Sequence, residues 1–118
     1  MKGHIRNKYG QIYIENDVLT RYAGLAAVEC FGVVGMASVN MKDGLVQLLR
    51  RDHIKHGVSV VVNDDHLRIA LHIIVAFGVS IRAVAENMIS NVRYQMEEFT
   101  GMKVDKVTIF VEGVRVVD

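Results

Sequence analysis

A chain of 118 residues, 51% apolar and 23% charged, carries enough hydrophobic material for one compact core, which excludes a disordered or fibrous polymer and favours a single domain over 1–118. Fourteen Lys and Arg against thirteen Asp and Glu leave a net charge of +1, so no global field gathers nucleic acid or anionic lipid, and such binding would need a local patch. The single cysteine, Cys30, excludes an internal disulfide and a Cys-Cys zinc site, fits a reducing compartment, and reads as a buried packing thiol.

The polar opening MKGHIRNKYGQ has neither the apolar centre nor the cleavage-like tail of a signal peptide, so a cytoplasmic chain is expected. GQIYIEN alternates and predicts a short first strand. NDVLTRYAGLAAVECFG then places Val18, Leu19, Tyr22, Ala23, Ala26, Ala27 and Cys30 at helical spacing. Asn16 or Asp17 can cap this helix and Gly32 can stop it, while its alanines and Gly24 leave a slim face for close packing. VVGMASVN predicts a second strand. MKDGLVQLLRRDHIKHG reads as a short helix or irregular excursion anchored by Leu45, Leu48 and Leu49.

The segment GVSVVVNDDHLRIALHIIVAF predicts a hairpin: Val58, Val60 and Val62 alternate, as do Leu67, Ile69, Leu71, Ile73 and Val75, around an Asn-Asp-Asp-His turn. The longest apolar stretch, LHIIVAFGVSI, is far short of the roughly 20 residues that span a bilayer, so direct membrane insertion is not expected. Ser80 is placed to cap a helix in which Ile81, Val84, Ala85, Met88, Ile89, Val92, Met96 and Phe99 follow the 3.6-residue period up to Gly101. Val107, Ile109 and Val111 predict a final strand, and Gly113 a bulge or turn, because Val114 and Val116 change parity.

These elements predict an α+β two-layer sandwich, with one mixed four- to five-stranded sheet and two main helices on one face. Strand-helix-strand units at both ends favour parallel neighbours through crossovers. The sheet's other face then stays open, and strand parity assigns to it Ser59, Val61, Arg68, His72, Ile74, Lys106, Thr108 and Phe110, joined by Tyr13. That mixture is too apolar for idle surface. It fits docking of a protein or a second copy, and the alternative is stacking of single-stranded nucleic acid on Phe110 and Tyr13 beside Arg68 and Lys106. Few aromatics and near-neutral charge favour protein. The excursion at residues 41–56 would cover this face if it folded over it.

Other clusters carry less. His53 and His56 beside Asp52 lack the recurrent spacing of a zinc site, so no metal is expected. Arg50, Arg51 and Lys55 form the densest basic patch, which a helix C-terminus explains without a ligand. GVVG has the Gly-x-x-Gly outline of an RNA-clamping loop, but it lies between a helix and a strand and carries valines at its centre. Glu86, Glu97 and Glu98 belong to the polar side of the long helix. No phosphate loop, nucleophile elbow or nucleophile-base pair is present, so neither catalytic residues nor a cofactor is expected.

Taken in order, GQIYIENDVLTRYAGLAAVECFGVVGMA, GVSVVV with its hairpin, and FGVSIRAVAENMISNVRYQMEEFTGMKVDKVTIFVEGVRV resemble the alkaline-shock, envelope-stress-response proteins of Gram-positive bacteria. The most specific part is the long helix ending in Phe99-Thr100-Gly101, the Val-x-Lys-Val strand after it, and Gly113-Val114. The resemblance covers about Gly10 to Val116, and RRDHIKH stands outside its pattern. It implies a noncatalytic cytoplasmic protein in cell-envelope homeostasis, self-associating or serving as an adaptor, with some members held near the membrane by a separate anchor and some encoded beside a kinase-like protein. A homo-oligomer and a membrane-proximal protein partner are therefore expected, rather than nucleic acid.

Overall fold

The computed structural model describes residues 2–39, 46–49 and 51–117. Its sheet is organised around β6 (His66–Ala76), whose alternation buries Leu67, Ile69, Leu71, Ile73 and Val75 against the helices. β7 (Lys103–Arg115) runs parallel to β6 along its length, returned to that direction by α2 (Ile81–Thr100). The other edge of β6 is shared between two antiparallel strands: β5 (Val58–Asn63) pairs with residues 66–71, and β3 (Val33–Val39) with residues 73–75. β4 (Val46–Leu48) lies outside β3. This is the expected α+β sheet-and-helix fold with a mixed five-stranded sheet.

α2 follows from its sequence at both ends. The Ser80 hydroxyl accepts a hydrogen bond from the Ala83 amide at 3.2 Å, satisfying one of the free donors of the first turn. Gly101 closes the helix in the left-handed region at φ 74°, and its amide donates to the Glu97 carbonyl. Between these ends Val84, Met88, Val92 and Met96 form a fully buried stripe. α1 (Asn16–Val28) contributes Leu19, Ala23, Ala26 and Ala27 to the same core, so both helices cover one side of the sheet. Gly24 permits the close approach: a Cβ there would meet Val58 and Ile54 side chains at 3.2–3.3 Å.

The start of α1 departs from expectation. Neither Asn16 nor Asp17 occupies the cap position; Glu15 does, and its side chain makes no capping hydrogen bond to the first turn. Asn16 instead donates through Nδ2 to the Val60 carbonyl at 3.0 Å, fastening the helix start to β5. The N-terminal segment also differs. β2 (Gly10–Glu15) pairs with a strand the polar sequence did not announce, β1 (Lys2–Asn7), in a separate two-stranded hairpin. The first strand-helix-strand unit therefore forms no parallel pair in the main sheet. Tyr13 goes with the hairpin, stacked on His4 at 4.5 Å between ring centroids, and does not join the outward face. Local alternation can identify a strand but not its partner, and pairing to β1 took this one out of the sheet.

Two further expectations are corrected. The excursion forms β4 and a 3-10 segment, Arg51–Gly57, kinked at His53; residues 41–45, including Leu45, lie outside the described residues. Ile54 of this segment enters the helix-side core, so the described part of the excursion is anchored on that side of the sheet. Ile74, assigned by parity to the open face, is 2% exposed. It lies in register between Gly35 of β3 and Gly113 of β7, and its Cγ1 leans over Gly113, where a Cβ would sit 3.8 Å away. Neighbours without side chains let it sink against the sheet.

Candidate functional site

The outward face is shaped by two bulges in β7. Strict pairing would set Asp105 opposite Arg68. The register instead shifts between Leu67 and Arg68, so that Leu67 faces Val104 and Arg68 faces Lys106. Asp105 is the extra residue, and its carboxylate meets His66 Nδ1 at 2.6 Å. Val104 and Val107 both remain buried although three apart, with two exposed residues between them, as a bulge requires. The second shift lies between Ile73 and Ile74, where Glu112 is the extra residue; it meets His72 Nδ1 at 3.1 Å. Each bulge thus supplies a carboxylate to a histidine of β6. The bulge expected at Gly113 is the second of these.

Between the two histidine-carboxylate pairs lie two rungs of different character. One is Val61, Arg68 and Lys106; the next is Ser59, Ala70 and Thr108. Together with Ile69 they line an open depression of about 270 Å³. Beyond it His72 and Phe110 are neighbours in register and stack at 4.7 Å and 10°. Phe110 is 44% exposed and Val61 45% exposed. The structure therefore brings Val61, Arg68, His72, Lys106, Thr108 and Phe110 together on one surface, and leaves Tyr13 and Ile74 out of it.

The remaining candidates are placed as follows. His53 and His56 meet edge-on at 5.7 Å, and among the described residues no group of three His, Cys, Asp or Glu could hold a metal ion. Arg50 and the side chains of Arg51, Asp52 and Lys55 lie outside the described residues. Glu86 pairs with Arg82 on the helix surface at 2.9 Å. Glu97, read as simple surface, accepts from the Val104 amide at 2.9 Å and ties the helix end to the start of β7. Cys30 is buried, donates to the Ala26 carbonyl and accepts from Asn91 Nδ2; burial pushes its thiol pKa up, partly offset by the Asn91 contact. That is a packing thiol with little thiolate character at neutral pH.

Sequence reasoning missed a second apolar surface. The Ala76 amide donates to the Gly32 carbonyl and the Phe77 amide to the Arg115 carbonyl, which gathers the α1–β3 turn, the β6–α2 turn and the end of β7. Phe31, Phe77, Val114 and Val116 are all more than half exposed there. Their signal was present as large apolar residues beside Gly32, Gly78 and Gly113, but turns carry no parity from which exposure can be read. Among the described residues no helix is long and apolar enough to cross a membrane.

Comparison with known proteins places this architecture. The chain is 45% identical over 117 residues to the uncharacterized protein YloU of Bacillus subtilis (strain 168), covering 98% of each chain. It is 34% identical to the uncharacterized protein Spy1614 of Streptococcus pyogenes serotype M6 over 96% of this chain and 94% of that protein. It is 30% identical to the uncharacterized protein YqhY of Bacillus subtilis over 95% of this chain and 82% of that one. No solved structure matches. The family model matches residues 4–116, from the first hairpin through the end of β7, and the chain belongs to the alkaline shock protein 23 family, which has a cell envelope-related function.

Proposed function

We propose that the protein is a noncatalytic adaptor of cell-envelope homeostasis under stress, working in the cytoplasm and docking protein through the outward face of its sheet. The docked protein is a second copy of the chain or a partner at the membrane, such as an anchor or a kinase-like protein. The observation that carries this reading is the uncovered face itself: both helices pack on the other side, and Phe110 and Val61 stay nearly half exposed beside strand positions whose helix-side apolar neighbours Leu67, Ile69 and Leu71 are buried. An apolar surface of this kind, rimmed by charge, is the usual mark of a protein interface. The family's cell envelope-related function supplies the setting.

Mild crosslinking of the tagged chain in its own growing cells, with copurifying proteins identified by mass spectrometry and nucleic acid quantified alongside, tests the proposal. Recovery of the chain itself with membrane or envelope proteins, free of nucleic acid, is expected. Single-stranded RNA or DNA retained through washes at moderate salt would overturn it in favour of nucleic-acid binding on the same face.

A further inference from the structure

We infer that the depression between the two bulges of β7 is a binding site for a phosphate monoester dianion carried by a small soluble molecule. The first observation is the placement of charge. Arg68 and Lys106 are register partners on adjacent strands, about 5 Å apart at the backbone, where like charges repel. Neither has an ion-pair partner among the described residues, although the histidines at the two ends of the face, His66 on the preceding rung and His72 two rungs on, are each paired with a carboxylate. The bulge makes this arrangement. Without the extra residue Arg68 would face Asp105 and be neutralised; with it, Asp105 serves His66 and Lys106 comes beside Arg68. A local rule of strand pairing is thus broken by a specific backbone feature, at the place where a ligand would restore the balance.

The second observation is the shape beside the cations. Ala70 lies between Ser59 and Thr108, so a short side chain flanked by two hydroxyl-bearing residues leaves the hollow of about 270 Å³. Arg68 offers a planar fork of donors, Lys106 a point charge, and the two hydroxyls further donors. Two unneutralised positive charges match a dianion, and three phosphoryl oxygens use more donors than a carboxylate can. The size of the hollow fits a phosphoryl group with a small body, and the open side admits it from solvent.

This site does not depend on the docking reading. A chain that binds phosphate but captures no protein keeps this inference and loses the other, and the converse result does the opposite.

The test is a titration of the full chain with inorganic phosphate and with phenyl phosphate at about pH 7.5, where a monoester is largely dianionic. Amide NMR shifts and melting temperature are followed, with sodium chloride at matched ionic strength as control. Saturable shifts are expected at Ser59, Arg68, Ala70, Lys106 and Thr108, with a rise in melting temperature beyond that in chloride. Arg68→Gln and Lys106→Gln should each weaken binding about ten-fold, and each should melt higher than the parent in phosphate-free buffer because the repulsion is relieved. Absence of saturation, unchanged affinity in the double variant, or displacement of phosphate by a thymidine oligonucleotide at lower concentration would overturn the proposal. Stronger binding to phosphatidic acid vesicles than to phenyl phosphate would overturn the soluble-ligand assignment.

Discussion

Leu71 and His72 are consecutive residues of β6 that point to opposite faces, and truncating each to alanine measures how different those faces are. Leu71 is fully buried in the core cluster, so Leu71→Ala leaves a cavity and should cost about 2–5 kcal/mol. His72 is partly exposed, with side-chain exposures of 35% for itself and 23% for Glu112. Its hydrogen-bond contact with Glu112 is worth about 0.5–1 kcal/mol, and its stack on Phe110 adds about 0.5–1.5 kcal/mol. His72→Ala should therefore cost about 1–2 kcal/mol. Urea unfolding followed by circular dichroism reads the difference. With a slope of about 1–3 kcal/mol per molar urea, the leucine variant should lose about 1–3 M of midpoint and the histidine variant distinctly less. Equal losses would mean that the outward face is covered and functions as core, and the account of an open surface would fail.

Three further outcomes follow from individual contacts. Gly57→Ala would place a Cβ 2.7 Å from the Ala37 carbonyl oxygen and 3.1 Å from Met36 Cβ, and since the first is backbone a loss of about 1–3 kcal/mol is expected by the same unfolding assay. Ser80→Ala removes the cap on the Ala83 amide and should cost about 1 kcal/mol, visible as a lower melting temperature without loss of helix content at low temperature. Cys30 has its thiol pKa raised by burial, so the native chain keeps a proton that the unfolded chain releases above about pH 8.5. Stability is then complete below that value and falls as pH rises toward the folded pKa, a slope that Cys30→Ala should flatten when urea midpoints are compared across the alkaline range.

The parts of the fold legible in the sequence are those written locally and redundantly. α2 announces itself by a capping serine, an unbroken stripe from Val84 to Met96 and a terminating glycine, three signals that agree. The β5–β6 hairpin is equally plain, because β6 keeps one parity along its buried side. β7 is legible only in part. The spacing of three between Val104 and Val107 already implied an extra residue, but only the pairing with β6 shows that the extra residue is acidic and goes to a histidine. Tyr13 could not be placed, since nothing in GQIYIE distinguishes a strand of the sheet from one arm of a hairpin whose other arm, KGHIRN, is polar. Ile74 was misassigned for a related reason: its burial depends on two glycines, Gly35 and Gly113, that become its neighbours only in the folded sheet. Among the candidate site residues, those on the regular rungs of β5, β6 and β7, Ser59 included, were found by parity, whereas Ala70 acquires meaning only as part of the low rung beside Arg68 and Lys106.

The central claim is that the outward face is an interface rather than core, and sedimentation velocity of the purified chain beside Phe110→Asp, with melting curves of both, tests it most directly. The account predicts that the parent self-associates with increasing concentration, that the variant remains a monomer, and that their melting temperatures measured at low concentration nearly coincide. A variant that sediments like the parent, or one that fails to fold, would contradict it.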